Sequence, residues 1–114
     1  MNEIDTLKSK EDFDRLYGRS RSAGSRHVVL LFRKNGMSVS REAFIASKKV
    51  GNSVQRNRAR RLMKEAFRTS GMRLSAGYDV AFIARNTITD AKCADVQRSI
   101  EAALTRAGIA GRPQ

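Results

Sequence analysis

Hydrophobic and polar residues follow two different periods along the chain, and these periods predict both strands and helices. Runs rich in β-branched and aromatic residues at 27–34, 43–48 and 78–84 predict three strands. The polar segment 19–25 is typical of a connection or a short edge strand. Since an Asn-Gly turn signal follows the first run, we expect the first two strands to form a hairpin with a loose loop.

Apolar residues recur at helical spacing in three further segments, each followed by a glycine. The first segment begins at a capping signature and places Phe13, Leu16 and Tyr17 on one face. The second spans residues 53–69 and the third spans 91–107. The inner face of the third helix is predicted to carry Cys93, Val96, Ile100, Ala103, Leu104 and Ala107.

The order of these elements is helix, strands, helix, strand, helix. It predicts an α/β two-layer domain with a small sheet and a strand–helix–strand unit over residues 44–84. A chain of 114 residues has room for one domain with one core. We therefore treat residues 1–114 as one domain with a core at about 5–108, and we expect both ends to fray.

The second predicted helix combines an apolar stripe with an unusually basic one. Residues 48–68 hold eight basic side chains and a single acidic one, Glu65. At about 100° per residue, Leu62, Met63, Ala66 and Phe67 fall within about 80° of Ala59. The opposite stripe holds Asn57, Arg60, Arg61, Lys64 and Arg68.

The basic stripe indicates a rigid row of positive charge that faces a polyanion. Ordinary solvated helix faces mix charges of both signs, and this face has little such mixing. We expect Glu65 to pair with Arg61, four residues away, with a contribution of only a few tenths of a kcal/mol. Arginine at most of these positions favours bidentate recognition of phosphate.

A candidate anion pocket lies where the basic helix begins. The turn 51–53 leaves free backbone N–H groups close to Arg56, and Lys48 and Lys49 precede it. The glycine and lysine spacing of a P-loop is absent. The turn is therefore a candidate anion pocket and not a P-loop.

Composition and charge agree with a nucleic-acid partner. The formal net charge is +12, the pI is about 11.1 and 40% of the residues are hydrophobic. The single cysteine, Cys93, excludes an intramolecular disulfide and fits a reducing cytoplasm. No run of apolar residues is long enough to span a membrane, and the N-terminus lacks the pattern of a signal peptide. We expect an unprocessed cytoplasmic protein.

Residues 47–68 resemble the signature of the protein subunit of bacterial ribonuclease P. Their centre, residues 56–58, matches the Arg-Asn-Arg motif of that family. The first helix, with Phe13 and Tyr17, and the strand that ends at residues 83–85 also agree. The resemblance covers about residues 5–108, and the 22-residue signature is specific.

The resemblance implies an αβββαβα fold with a small mixed sheet and a left-handed β-α-β crossover around the basic helix. It further implies binding to a large catalytic RNA, which uses Mg²⁺ to remove the 5′ leader of precursor tRNA. On this reading the protein carries no cofactor of its own. We expect a monomer in a 1:1 complex with the RNA, with no membrane partner.

The site residues that the resemblance implies form two sets. A leader cleft between the sheet and the basic helix takes Phe13 and Tyr17, together with Leu31 and Ile45, where the family often has an aromatic and a small polar residue. The alternative is that Phe13 and Tyr17 belong to the core. The RNA-contacting set consists of Lys48, Lys49, Asn52, Arg56, Asn57, Arg58, Arg60, Arg61, Lys64 and Arg68.

No catalytic constellation is apparent in the chain itself. We interpret His27 as a surface or strand-end residue and Cys93 as a small buried hydrophobic side chain. The acidic cluster at 11–14 is interpreted as a helix cap, with a Mg²⁺ site there as a weaker alternative. The main alternative function is a non-enzymatic RNA-binding module of the ribosome-associated type. Helix-turn-helix DNA binding is disfavoured because a strand precedes the basic helix.

Overall fold

The structure, a computed structural model, describes residues 4–6, 18 and 20–112, which contain strands, helices and the turns between them. The predicted first helix with Phe13 and Tyr17, and the acidic cluster at 11–14, lie outside these residues. The elements are β1 (Ile4–Thr6), β2 (Arg21–Gly24), β3 (Val28–Lys34), β4 (Ser40–Ile45), α1 (Ser53–Ser70), β5 (Arg73–Leu74), β6 (Tyr78–Ala84), a 3-10 helix (Asn86–Asp90), α2 (Cys93–Ala107) and β7 (Ala110–Gly111).

The main sheet is mixed, with the strand order β1-β4-β6-β3-β2. Strand β4 is parallel to both β1 and β6, whereas β3 is antiparallel to β6 and β2. The expected hairpin of β3 and β4 is wrong, because β6 lies between them. Val80, Ala81 and Phe82 have no exposed surface, and a strand covered on both faces takes a central position.

The predicted strand–helix–strand unit is confirmed, since α1 connects the parallel neighbours β4 and β6. The left-handed sense of this connection stays an expectation from the resemblance. The polar segment 19–25 contains β2, which lies at the edge of the sheet. Of the two interpretations given for this segment, the short edge strand is therefore confirmed. Strands β1, β5 and β7 were not predicted, because two or three residues are too few to show a period.

One face of the sheet and both helices enclose the main core. Met63 of α1 and Ile100 and Leu104 of α2 have no exposed surface and pack against this face. Phe82 stacks on Phe44 with ring centroids 4.9 Å apart, and Phe67 of α1 lies 5.0 Å from Phe82. This aromatic contact fixes α1 on the sheet, because such pairs add to the free energy of simple burial.

The opposite face of the sheet carries a smaller apolar cluster. Ala43 and Ala81 are buried there, and Leu31, Ile45 and Ile83 pack around them half-buried. The register explains this grouping, because Ala43 pairs with Ala81 and Ile45 with Ile83 on adjacent strands. Both sides of the sheet are therefore apolar, and only the first is covered by α1 and α2.

A buried ion pair crosses the sheet beside this smaller cluster. The Arg41 guanidinium donates to both carboxylate oxygens of Asp79, at 2.9 and 2.8 Å, and Asn35 donates to the same carboxylate at 2.9 Å. The Asp79 side chain is only 4% exposed. Because Arg41 and Asp79 are register partners on β4 and β6, the pair holds these parallel strands together.

Candidate nucleic-acid interface

Helix α1 begins at a capping box formed by Asn52 and Gln55. The Asn52 side chain accepts a hydrogen bond from the Gln55 N–H at 2.9 Å, and the Gln55 side chain accepts one from the Asn52 N–H at 2.9 Å. Gly51 precedes the box with φ 142°, and a Cβ there would lie 1.9 Å from Gln55 Oε1. Glycine is thus required at position 51 for the side chain of Gln55 to close the cap.

The apolar stripe of α1 is confirmed. Ala59, Met63, Ala66 and Phe67 are buried, and Leu62 is partly buried against the same core. The helix ends at Ser70, with Gly71 in the left-handed conformation at φ 71°. Both ends of α1 are therefore fixed by local signals, and its orientation around its own axis is fixed by the core.

A cationic ridge runs along α1. We define it as Arg60, Arg61, Lys64 and Arg68, on the side opposite the buried stripe, together with Arg56 in the first turn, which lies about 60° from Ala59. Arg61, Lys64 and Arg68 are exposed, and Arg56 and Arg60 are partly exposed. The Arg60 guanidinium donates to the side chain of Asn57, one turn earlier. Within the described part of the chain, the side chains of Arg56, Arg61 and Lys64 make no hydrogen bond or salt bridge.

Only Arg68 of the ridge is paired with a carboxylate among the described residues. Arg68 Nε donates to Glu65 Oε2 at 3.1 Å, and this hydrogen bond lowers the pKa of the Glu65 carboxyl. The expected pairing of Glu65 with Arg61 is wrong. Residues three and four apart are both neighbours on a helix, and the guanidinium of Arg68 reaches both oxygens of Glu65.

A second carboxyl group, that of Glu42, lies on β4 close to Lys64. Burial raises the pKa of Glu42, and the charge of Lys64 acts in the opposite direction. Its Oε2 atom is buried and has no hydrogen-bond partner among the described residues. Burial thus disfavours the ionised form, which limits the negative charge that Glu42 sets against the ridge.

The turn between β4 and α1 presents the remaining cations of the predicted anion pocket. Its N–H groups are not all free as expected, because Gly51 donates to the Lys48 carbonyl at 3.2 Å and Asn52 donates to the Gln55 side chain at 2.9 Å. Lys48 and Lys49 are exposed, as is Asn52. The first turn of α1 contains no acidic residue. The partial positive charge of the helix N-terminus is therefore not offset by an acidic side chain of that turn, and it adds to that of the two lysines.

Arg58 occupies a different flank of α1 from the ridge. It lies about 100° around the helix from Ala59, on the side away from Arg60. Its Nη2 donates to the Ala91 carbonyl at 3.2 Å, and its Nη1 lies 3.5 Å from the Thr89 carbonyl. This member of the expected RNA-contacting set therefore contacts the protein's own backbone.

The expected leader-cleft residues are only partly described. Phe13 and Tyr17 lie outside the described residues. Leu31 and Ile45 share one face of the sheet, as their common cluster shows. That face is opposite to the one that carries α1, so a cleft lined by these two residues does not lie between the sheet and α1.

The residues considered for chemistry have structural partners. His27 stands directly before β3 as expected, but it is buried, not on the surface. The ring Nδ1 of His27 lies 2.9 Å from Thr87 Oγ1, and its backbone N–H donates to Ser99 Oγ. Burial lowers the pKa of the His27 side chain. Cys93 is half-buried at the start of α2, less than expected for a core residue.

Two features are absent from the part of the chain that the structure describes, a metal-binding group of side chains and a membrane-spanning helix. This part of the chain shows no group of three or more His, Cys, Asp or Glu side chains that could hold a metal ion. In this same part, no helix has the length and apolar character needed to cross a membrane.

Comparison with known proteins decides the family. The family model for ribonuclease P matches residues 1–108. The chain belongs to the ribonuclease P protein family. The ribonuclease P protein component of Pelotomaculum thermopropionicum is 41% identical over 109 residues, covering 96% of this chain and 97% of that protein. The corresponding protein of Clostridioides difficile is 38% identical over 109 residues, with coverage of 95% and 96%.

Solved structures of the ribonuclease P family share the fold. The ribonuclease P protein of Staphylococcus aureus has a TM-score of 0.79 at 28% identity and covers 96% of this chain and 98% of that one. The protein from Thermotoga maritima has a TM-score of 0.75 at 27% identity, with coverage of 90% and 96%. The mixed α/β architecture built around α1 is thus that of ribonuclease P proteins.

Proposed function

We propose that this chain is the protein component of ribonuclease P and assists removal of the 5′ leader from precursor tRNA. The observation that carries the proposal is the cationic ridge on a helix whose opposite face is buried in the core. A helix anchored in this way cannot rotate its charges away from a partner. Membership of the family gives the identity of that partner as the RNA subunit of ribonuclease P.

In this proposal the catalytic centre lies in the RNA, which uses Mg²⁺, and the protein supplies binding energy. Lys48, Lys49 and the ridge neutralise phosphates of the catalytic RNA, and each neutralised phosphate releases counterions. Asn52 and Asn57 add polar contacts at the same surface. The protein acts in the cytoplasm as a monomer, in a 1:1 complex with the RNA.

Leader binding is a separate part of the proposal and involves the other face of the sheet. Leu31 and Ile45 present half-buried aliphatic surface there, next to Ile83. We propose that the unpaired leader contacts this face together with Phe13 and Tyr17. Stacking of bases on aromatic rings contributes about 1–3 kcal/mol per base and tolerates sequence changes.

The proposed function is tested by cleavage of precursor tRNA. A bacterial ribonuclease P RNA is assayed at low Mg²⁺ concentration, with and without the protein. We expect the protein to increase the rate of 5′ cleavage, because its cations replace metal ions that otherwise screen the phosphates. Absence of stimulation, in a preparation that binds the RNA, would contradict the proposal.

Competition binding separates this function from a general RNA-binding module. The complex of protein and RNA subunit should bind precursor tRNA with a 5′ leader more tightly than mature tRNA. Equal affinity for the two would favour the non-enzymatic alternative. Duplex DNA of the same charge serves as the control for attraction that depends on charge alone.

A further inference from the structure

Arg58 differs from the ridge in what its guanidinium contacts. Its Nη2 donates to the Ala91 carbonyl at 3.2 Å, and its Nη1 lies 3.5 Å from the Thr89 carbonyl. Arg61 and Lys64, one and two turns further along α1, have no such contact within the described residues. The helix repeat already places Arg58 on a different flank from Arg61 and Lys64, and the structure shows what that flank contacts.

The two carbonyls belong to the end of the 3-10 helix. Ala91 is the residue that caps this helix, and it is 4% exposed. Carbonyls at a helix end lack partners within the helix and carry partial negative charge, so a cation is favoured there. The planar fork of arginine can serve two acceptors at once, which the single ammonium of lysine does less well.

The contact also joins two helices. Lys92, which follows Ala91, is the N-cap residue of α2, and its N–H donates to Asp95 at 3.0 Å. The Val96 N–H donates to the Lys92 carbonyl at 3.1 Å, and the Ala91 N–H donates to the Ile88 carbonyl at 3.1 Å. Arg58 therefore holds α1 at the point where the 3-10 helix ends and α2 begins.

We propose that Arg58 is a positioning residue, which fixes α1 against the start of α2 and so sets the direction of the ridge. The proposal rests on the proposed function, because a ridge needs orienting only if it meets an RNA. It gives Arg58 a role distinct from that of its neighbours Arg56 and Asn57 in the Arg-Asn-Arg motif. In this role Arg58 neutralises no RNA phosphate.

The test compares Arg58→Ala with Arg61→Ala as the matched ridge variant. Affinity for a bacterial ribonuclease P RNA is measured over a range of salt concentrations, and amide exchange of Ala91, Lys92 and Val96 is measured in the free protein. For Arg58→Ala we expect weaker binding at every salt concentration, an unchanged salt slope and roughly tenfold faster exchange. For Arg61→Ala we expect a slope smaller by about one and unchanged exchange.

Arg58→Lys keeps the experiment decisive if the alanine variant does not fold. Lysine retains the positive charge but not the planar guanidinium. The exchange rates of the three amides should therefore lie between those of wild type and Arg58→Ala, and the salt slope of RNA binding should equal that of wild type. A slope reduced by about one in Arg58→Ala, or wild-type exchange in both variants, would overturn the proposal. Failure of the proposed function looks different, because wild-type protein would then not stimulate cleavage at all.

Discussion

A variant with Arg56, Arg60, Arg61 and Lys64 changed to glutamine should bind a bacterial ribonuclease P RNA several hundredfold more weakly at about 0.15 M salt. Each lost phosphate contact removes about 0.7–0.9 from the dependence of log K on log salt concentration. If the variant and the wild type bind equally at 1 M salt, four lost contacts weaken binding at about 0.15 M salt by a factor on the order of several hundred. The variant should fold normally, because the buried stripe of α1 is unchanged.

The matched control removes the same number of charges elsewhere on the surface. Lys34, Arg73, Arg98 and Arg106 are exposed and lie outside α1, and their change to glutamine lowers the net charge equally. Filter binding or fluorescence anisotropy measures the affinity of both variants. If the control loses as much affinity as the ridge variant, total charge decides binding and the position of the ridge does not.

The second large effect concerns stability. Arg41→Ala should lower the free energy of unfolding by about 3–5 kcal/mol, because it leaves the charge of a buried carboxylate without its cation. The Asp79 side chain is 4% exposed, and among the described residues only Asn35 would still donate to it. Urea unfolding, followed by circular dichroism, gives this free energy by linear extrapolation.

The control for this prediction is the double variant Arg41→Ala with Asp79→Ala. Removing both charges leaves no buried carboxylate without a cation, so the double variant should be more stable than Arg41→Ala alone. A loss of less than about 1 kcal/mol in Arg41→Ala would show that the pair lies in a solvated environment. It would also mean that the pair does not hold β4 against β6.

Local signals allowed α1 to be predicted almost completely from sequence. Its apolar stripe and its stop at Gly71 lie within the helix or next to it. The outward position of Arg60, Arg61, Lys64 and Arg68 follows from the same period, because these residues lie opposite the buried stripe. The family resemblance rested on these same residues.

Strand pairing could not be predicted because it depends on partners far apart in the chain. Strands β3 and β4 follow one another, yet both pair with β6, which lies beyond α1 in the chain. The salt-bridge partner of Glu65 on the surface of α1 was also ambiguous from sequence. Glu65 has a basic residue on each side at helical spacing, and only the side-chain geometry selects Arg68.

The position of Leu31 and Ile45 shows what local alternation predicts and what depends on the packing of the whole domain. Alternation along β3 separates Leu31 from Phe32 on opposite faces, as the sequence indicates. Which of these faces carries α1 depends on the packing of the whole domain, and it proved to be the face of Phe32. The contact of Arg58 with Ala91 is equally non-local, since the two residues are 33 positions apart.

The most direct test of the account is a crosslinking map of α1 on the RNA. In a Cys93→Ser background, a photoactivatable group is attached through Arg61→Cys on the ridge or through Ala102→Cys on the exposed surface of α2. We expect strong crosslinks to the ribonuclease P RNA from position 61 and weak ones from position 102. Strong crosslinks from position 102 with none from position 61 would show that α1 does not face the RNA.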